Sequence, residues 1–324
     1  MTKIHQDRIL VLHDDPDSYF KELKTTFPQL PIELCRTTDS VMNTVETLQP
    51  TIIYSWKSAN ITHDIQRRAI MASSVKWVQI GGAGFDHLTP LPEATAVFTN
   101  MSGVLADNMA ETVLGALLML NFRFPKAMQQ QRQRLWKPYT FPSVKGKTAV
   151  IVGLGQIGQK VAQRCQQFGM TVIGIRNNQT PLANVDQLLP PNKLREVLPQ
   201  ADYLCLHVPY TSQTHHMIDA EAFDLLPNHA LLINTARGGV VDEDALLNAL
   251  NTESIAGAYS DVFEQEPLPA KSLLWDAPNH IISPHIADTI DGWEIAYTQF
   301  FYKNIRQWLA GKPLLNLVDI HRGY

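Results

Sequence analysis

The chain has little cysteine, little net charge and no long apolar run. Cys35, Cys165 and Cys205 are far apart, each in an apolar or strand-like context. That spacing argues against a disulfide framework and reads as buried, reduced thiols; no metal site is called for. A net charge of -4 and a pI near 6.2 leave no basic surface to draw a nucleic acid or an anionic membrane, so neither is expected as a partner. No run approaches the length of a membrane span, and the opening MTKIHQDRILVLHDD lacks the apolar region of a signal peptide. The expected location is the cytoplasm.

What remains is ordinary globular material: 324 residues, 45% apolar and 18% charged, enough for about two domains. The organising stretch is residues 147–176, KTAVIVGLGQIGQKVAQRCQQFGMTVIGIR. Its apolar, β-branched start reads as a strand buried on both faces. Gly153, Gly155 and Gly158 follow: the first for a tight turn, the second for close approach of backbone to a pyrophosphate, the third for helix-on-strand packing. Gln156 and Ile157 open the helix, whose free N–H groups would face the phosphates. Ile157, Val161 and Cys165 give that helix an apolar face, and residues 172–175 supply a second strand. Strand, turn, helix and strand together are the context in which this fingerprint binds a dinucleotide.

The end of that second strand departs from the usual pattern. NAD-binding sheets place an acidic residue there, roughly 20 residues beyond the fingerprint, to accept from the ribose 2'-hydroxyl. This chain has Arg176, 23 positions beyond Gly153, followed by Asn177, Asn178 and Thr180, with no carboxylate before Asp186. A guanidinium binds a 2'-phosphate bidentately, so NADP(H) is the expected cofactor, with NAD(H) also possible.

Before the fingerprint, apolar runs at 8–13, 32–36, 51–56, 75–80 and 96–100 alternate with amphipathic segments, as in a small α/β unit. GGAGFDHL, residues 81–88, follows the fourth run; Gly82, Ala83 and Gly84 there can form a nest of N–H groups for an anion, or a plain turn. Trp56, just after the third run, is a candidate cap on a small substrate or a core tryptophan. Residues 107–122 form a helix with Met109, Val113, Leu117 and Leu120 on one face and a rather apolar opposite side, as expected of a helix buried between domains or against another subunit. Residues 124–139 then turn glutamine- and arginine-rich and read as a solvated helix or arm.

After the fingerprint, strands are expected at 202–208, 230–234, 255–260 and 280–283, six in all with the first two. In an open parallel sheet ligands bind beyond the carboxyl ends of the strands. Pro209, Arg237, Glu266 and His285 lie there, and Val208, Pro209, Thr214, Thr235 and Ala236 are the candidate cofactor-binding residues on that side. The Arg237 fork suits a planar carboxylate. Glu266 can orient the His285 imidazole and favour its protonated form, a competent proton donor. The bland alternatives are a surface arginine, a structural salt bridge and a strand-end histidine.

GLGQIG, NTARGG, DVFEQEP and SPHIA, in this order, resemble the D-isomer-specific 2-hydroxyacid dehydrogenase family, most strongly over residues 80–290. The resemblance implies an α/β chain of two doubly wound parallel-sheet domains with a cleft between them. Residues 1–104 and 290–324 would form a flavodoxin-like catalytic domain, and 105–289 a Rossmann nucleotide domain inserted into it. A helix over 293–309, with Trp293, Ala296, Phe300 and Trp308 for packing, would return the chain. It further implies that Arg237 holds the substrate carboxylate and carbonyl, His285 is the acid–base residue and Glu266 its partner. GGAGFD would present backbone donors to the carboxylate, and Asp261 and the Ala236 region would meet the nicotinamide carboxamide.

The activity implied is reduction of a small 2-oxo acid, such as glyoxylate or hydroxypyruvate, to the D-2-hydroxy acid by hydride transfer from NAD(P)H; the D configuration rests on resemblance alone. Members commonly pair through the 107–122 region, so a homodimer is expected. Phosphoglycerate enzymes carrying an added effector domain match less well, as nothing follows Tyr324. The alternatives are a nucleotide-sensing binding protein of the same fold without turnover, and a formate dehydrogenase, which places glutamine where Glu266 stands.

Overall fold

A computed structural model describes residues 7–15, 17–91 and 94–320. The first six residues, within the stretch read for a leader, and the chain end at Tyr324 lie outside the described residues. Among those described, no helix is long and apolar enough to cross a membrane. The chain divides into two compact units, Met1–Val104 with Asp291–Tyr324, and Leu105–Ile290.

The first unit is built on parallel strands β1 (Ile9–Leu12), β2 (Ile32–Cys35), β3 (Ile52–Ser55), β4 (Trp77–Ile80) and β5 (Val97–Thr99), in the order 2-1-3-4-5. That order is the flavodoxin-like winding. The short strand Leu317–Val318 pairs antiparallel with β5. Every residue of β1, β3 and β4 is buried, which is why these runs show no polar alternation.

Helix Trp293–Leu309 returns the chain onto this sheet: the Phe301 ring lies 4.1 Å from that of Tyr54. Its buried face is Tyr297, Phe301, Tyr302 and Ile305, one residue round from the face expected of Trp293, Ala296, Phe300 and Trp308, which are only half-buried. The offset has a polar cause. Asn304 is fully buried, donates to Gln79 Oε1 at 3.1 Å and accepts from the Leu315 N–H at 2.8 Å, which fixes the helix rotation.

The second unit carries β6 (Thr148–Val152), β7 (Thr171–Ile175), β8 (Gln187–Leu189), β9 (Tyr203–Leu206), β10 (Leu231–Asn234), β11 (Gly257–Ser260) and β12 (His280–Ile282). All pairs are parallel and the order is 8-7-6-9-10-11-12, which extends the 3-2-1-4-5-6 nucleotide-binding order by one strand. There are seven strands rather than the six expected. The extra one, β8, is a three-residue edge strand, exposed or half-exposed, with neither β-branched residues nor a buried run to mark it.

Helix Ala106–Asn121 buries Ala110, Val113, Leu114, Leu117 and Leu120 within its own unit, beside helix Gln156–Gln167. Its far side is not closed: Asp107, Glu111, Gly115 and Met119 are exposed. Lys160 holds the Asp107 carboxyl below its usual range, bonding it at 3.0 Å. The following helix, Phe124–Arg132, buries nothing. The segment is solvated, as expected, and its apolar side chains are exposed with the rest: Phe124, Met128, Leu135, Trp136 and Phe141, Trp136 by 96%.

Candidate active site

The glycine turn after β6 does what its residue types require. Gly153 has φ +93, a left-handed conformation that a side chain rarely adopts, and a Cβ there would meet the His207 carbonyl oxygen at 2.4 Å. At Gly158 a Cβ would meet the Gly153 oxygen at 1.9 Å, so helix Gln156–Gln167 can start against the turn only with glycine at this position. Gly155 caps that helix and has open space where its Cβ would stand. A phosphate fits there, on the free N–H groups of the first turn that includes Gln156 and Ile157.

Arg176 follows β7, half-buried, with its N–H on the Leu189 oxygen at 3.0 Å and its carbonyl accepting from Gln179 Nε2 at 2.5 Å. The backbone is tied from both sides. Asn177, Asn178 and Gln179 beside it are exposed and neutral. After β9, Val208 and Pro209 lead into a loop closed by Thr214, whose hydroxyl donates to the Pro209 oxygen at 2.7 Å and accepts from the Thr211 N–H at 2.8 Å. Thr235 bonds His207 Nδ1 at 3.2 Å; burial pushes that imidazole down to about 4, so it is neutral near pH 7.

Arg237 is placed by a residue the sequence did not single out. Asn234, 2% exposed at the end of β10, accepts from the Ala236 N–H at 3.0 Å and donates to the Arg237 oxygen at 3.2 Å. The guanidinium donates to the Ala236 carbonyl at 2.8 Å. Gly238 then lies on the next strand-end turn: a Cβ there would stand 1.9 Å from the Phe263 carbonyl carbon and 2.2 Å from the Glu264 nitrogen. The Arg237 loop and the turn carrying Glu266 are therefore in direct backbone contact.

Glu266 accepts from the Phe263 N–H at 3.2 Å through Oε1 and bonds His285 Nδ1 at 2.8 Å through Oε2. The pair expected from sequence is formed, with the histidine side chain 40% and the carboxylate 23% exposed. The contact holds the ring through Nδ1 and leaves Nε2 as its other polar atom.

His285 has φ +55 and its N–H donates to the Asp261 carbonyl at 2.8 Å. Asp261, 2% exposed, binds the rest of that loop: Oδ1 accepts from Ser283 Oγ at 2.5 Å and from the Ile286 N–H at 2.9 Å, and Oδ2 from the Ala287 N–H at 3.0 Å. Its first structural role is to brace the histidine loop, with acceptor capacity left on Oδ2.

In the first unit, the Gly82 carbonyl accepts from the Met101 N–H at 2.9 Å and the Ala83 carbonyl from Asn100 Nδ2 at 2.7 Å. Because a trans peptide points its C=O and N–H in opposite directions, the N–H groups of Ala83 and Gly84 face away from those partners. Trp56 lies behind this turn, 8% exposed, among the rings of His13, Tyr54, Trp293 and Tyr297; a Cβ on Gly81 would meet its Cδ2 at 2.3 Å. It backs the glycine turn as a core residue does.

Residues 114–287 match the family model "D-isomer specific 2-hydroxyacid dehydrogenase, NAD binding domain". The chain belongs to that family. A glyoxylate reductase of Thermofilum pendens is 38% identical over 265 residues, 78% of this chain and 74% of the relative. A solved D-isomer-specific 2-hydroxyacid dehydrogenase family protein from Aeromonas salmonicida superposes with a TM-score of 0.84 at 32% identity, covering 97% of this chain and 99% of its own. An NADPH-dependent glyoxylate/hydroxypyruvate reductase of Sinorhizobium meliloti, solved with NADP and sulfate, gives 0.84 at 26% identity over 98% of this chain and all of the other. As a 2-hydroxyacid dehydrogenase, this chain is an NAD(P)-dependent oxidoreductase with two α/β units.

Proposed function

We propose that the chain reduces a small 2-oxo acid, glyoxylate, hydroxypyruvate or a near relative, to the D-2-hydroxy acid, with NADPH preferred over NADH. The observation that carries the chemistry is the 2.8 Å contact of His285 Nδ1 with Glu266, on a turn that touches the Arg237 loop through Gly238. When bound, the reduced nicotinamide supplies a hydride to the carbonyl carbon. His285 gives its Nε2 proton to the carbonyl oxygen, and Glu266 holds the ring in place through Nδ1. Arg237 polarises the carbonyl and holds the carboxylate; a donor aimed at developing charge is worth about 2.7–4 kcal/mol. In the first unit, the N–H groups of Ala83 and Gly84, with Gly82 open beside them, are the candidate anion donors. Val208, Pro209, Thr214, Thr235 and Ala236 line the cofactor, and Asp261 offers Oδ2 to its carboxamide.

NADPH preference is supported by Arg176 at the end of β7, with only neutral Asn177, Asn178 and Gln179 beside it. The NADPH dependence of the Sinorhizobium relative points the same way. Arg176→Asp should weaken NADPH binding far more than NADH binding. Wild-type kinetics as good with NADH at matched concentration would remove the preference. Following reduced-cofactor absorbance across a panel of 2-oxo acids tests the reaction itself, and no turnover with any member rejects it.

The chain acts as a cytoplasmic homodimer in this reading. Buried, free Cys35, Cys165 and Cys205 suit a reducing compartment, and burial pushes the Cys165 thiol up to about 12, leaving it inert. Phe124, Met128, Leu135, Trp136 and Phe141 form the kind of exposed apolar segment that a second copy covers. Sedimentation that shows a concentration-independent monomer rejects the dimer.

A further inference from the structure

The loop after β9 runs past the cofactor-lining residues into two adjacent histidines that this chemistry has not used. His216 has φ +47, a backbone held in the left-handed region. Its N–H donates to the Gly239 carbonyl at 2.8 Å, two residues from Arg237, and its Nε2 bonds Glu264 Oε1 at 2.8 Å, two residues from Glu266. Three neighbouring strand-end loops thus meet at one residue, Gly239 through its backbone and Glu264 through its side chain. The contact is reinforced on both sides. His215 stacks on the His216 ring at 3.9 Å and bonds the Tyr210 hydroxyl at 3.1 Å, while Ile218 donates to the Val240 carbonyl and Asp242 to the Ile218 carbonyl.

Besides Asp261, the turn at 261–266 carries Glu264 and Glu266, two residues apart, and each of these faces an imidazole: Glu264 with His216, Glu266 with His285. A third carboxylate, Glu243, accepts from the Glu264 N–H at 2.7 Å; burial, with the charges of Glu264, Asp244 and Glu266, raises it above its ordinary range. The His216–Glu264 pair is 32% and 41% exposed, so its worth to global stability is small. What it sets is geometry.

We propose that His216, through Glu264, is a positioning residue for the reduction: by gripping Gly239 and Glu264 together it holds the Arg237 loop and the Glu266–His285 pair in register. The proposal rests on the reductase reading above for its kinetic consequence, and on geometry alone for the coupling.

The test is a double-mutant cycle in the full-length enzyme. His216→Asn suits the left-handed backbone and keeps the N–H to Gly239, but cannot reach Glu264; Glu264→Ala removes the acceptor; His216→Gln restores a donor near the place of Nε2. Each of the first two should lower kcat about tenfold, the scale of a slight misplacement, with the KM for NADPH unchanged. The double variant should be no worse than the poorer single, because both remove one interaction, and His216→Gln should recover most of the loss. Crystal structures with NADP should show the His285–Glu266 contact opened past about 3.2 Å, the upper end for such a bond. An intact contact with unchanged kcat overturns the proposal, and so does a kcat loss that multiplies in the double variant. If the wild type reduces no 2-oxo acid, the reductase reading fails, and the crystal contact alone decides the coupling.

Discussion

Asp261→Asn separates a bracing role from a cofactor-binding one. The residue is 2% exposed and holds Ser283, Ile286 and Ala287 through its carboxylate. Asparagine is nearly the same size, and its oxygen can keep the Ser283 and Ile286 donors. Its amide then faces the Ala287 N–H, donor against donor, where residue 287 is also only 2% exposed. Losing a bond to a charged acceptor and burying the donor costs about 2 kcal/mol. For a unit of this size that lowers Tm by roughly 4–8 °C. Because the same loop carries His285, kcat should fall about tenfold or more. Calorimetry and saturating turnover on the same preparation read both. If Asp261 served only the nicotinamide carboxamide, Tm would stay and cofactor affinity alone would drop; that pattern refutes the brace.

His285→Ala should lower turnover by at least ~10²-fold, the usual loss for an acid–base residue, with NADPH affinity near wild type; near-normal turnover removes His285 from the chemistry. Glu266→Gln should lower kcat about tenfold or more, since the His285 ring loses the carboxylate that positions it; an unchanged kcat counts against the pair. Burial pushes both His207 and His280 down to about 4. The folded state then binds fewer protons than the unfolded one between about 4 and the usual histidine value near 6.5, so this stabilisation is complete above that window and is lost as pH falls through it. A variant with both replaced by glutamine should lose less Tm than the wild type across that window, as thermal scans would show; parallel curves would exclude burial as the cause.

The sequence shows most plainly those features whose physics is local. Gly153 and Gly158 are legible because a positive φ and a 1.9 Å approach can be met by glycine only, whatever lies elsewhere. The Glu266–His285 contact could be read because strand ends collect on one edge of a parallel sheet. Asn234 and the His216–Glu264 pair had no such signal: an asparagine ending a strand looks like a turn residue, and a contact spanning 48 residues has no period to betray it. The β8 strand was missed for want of a buried face, whereas the Phe124–Arg132 helix buries nothing, as its glutamines and arginine suggest. For Trp56 the residue type suits either a substrate cap or a core residue, and only the three-dimensional packing shows it backing Gly81.

The central claim is that the chain passes a hydride from reduced nicotinamide to the carbonyl carbon of a 2-oxo acid while His285 protonates the oxygen. The most direct measurement uses NADPH with both hydrogens at nicotinamide C4 replaced by deuterium, with hydroxypyruvate as acceptor, and analyses the glycerate formed. The account predicts one deuterium at C2 of the D isomer, and loss of product formation in His285→Ala. Glycerate without deuterium at C2, or of the L configuration, would contradict it.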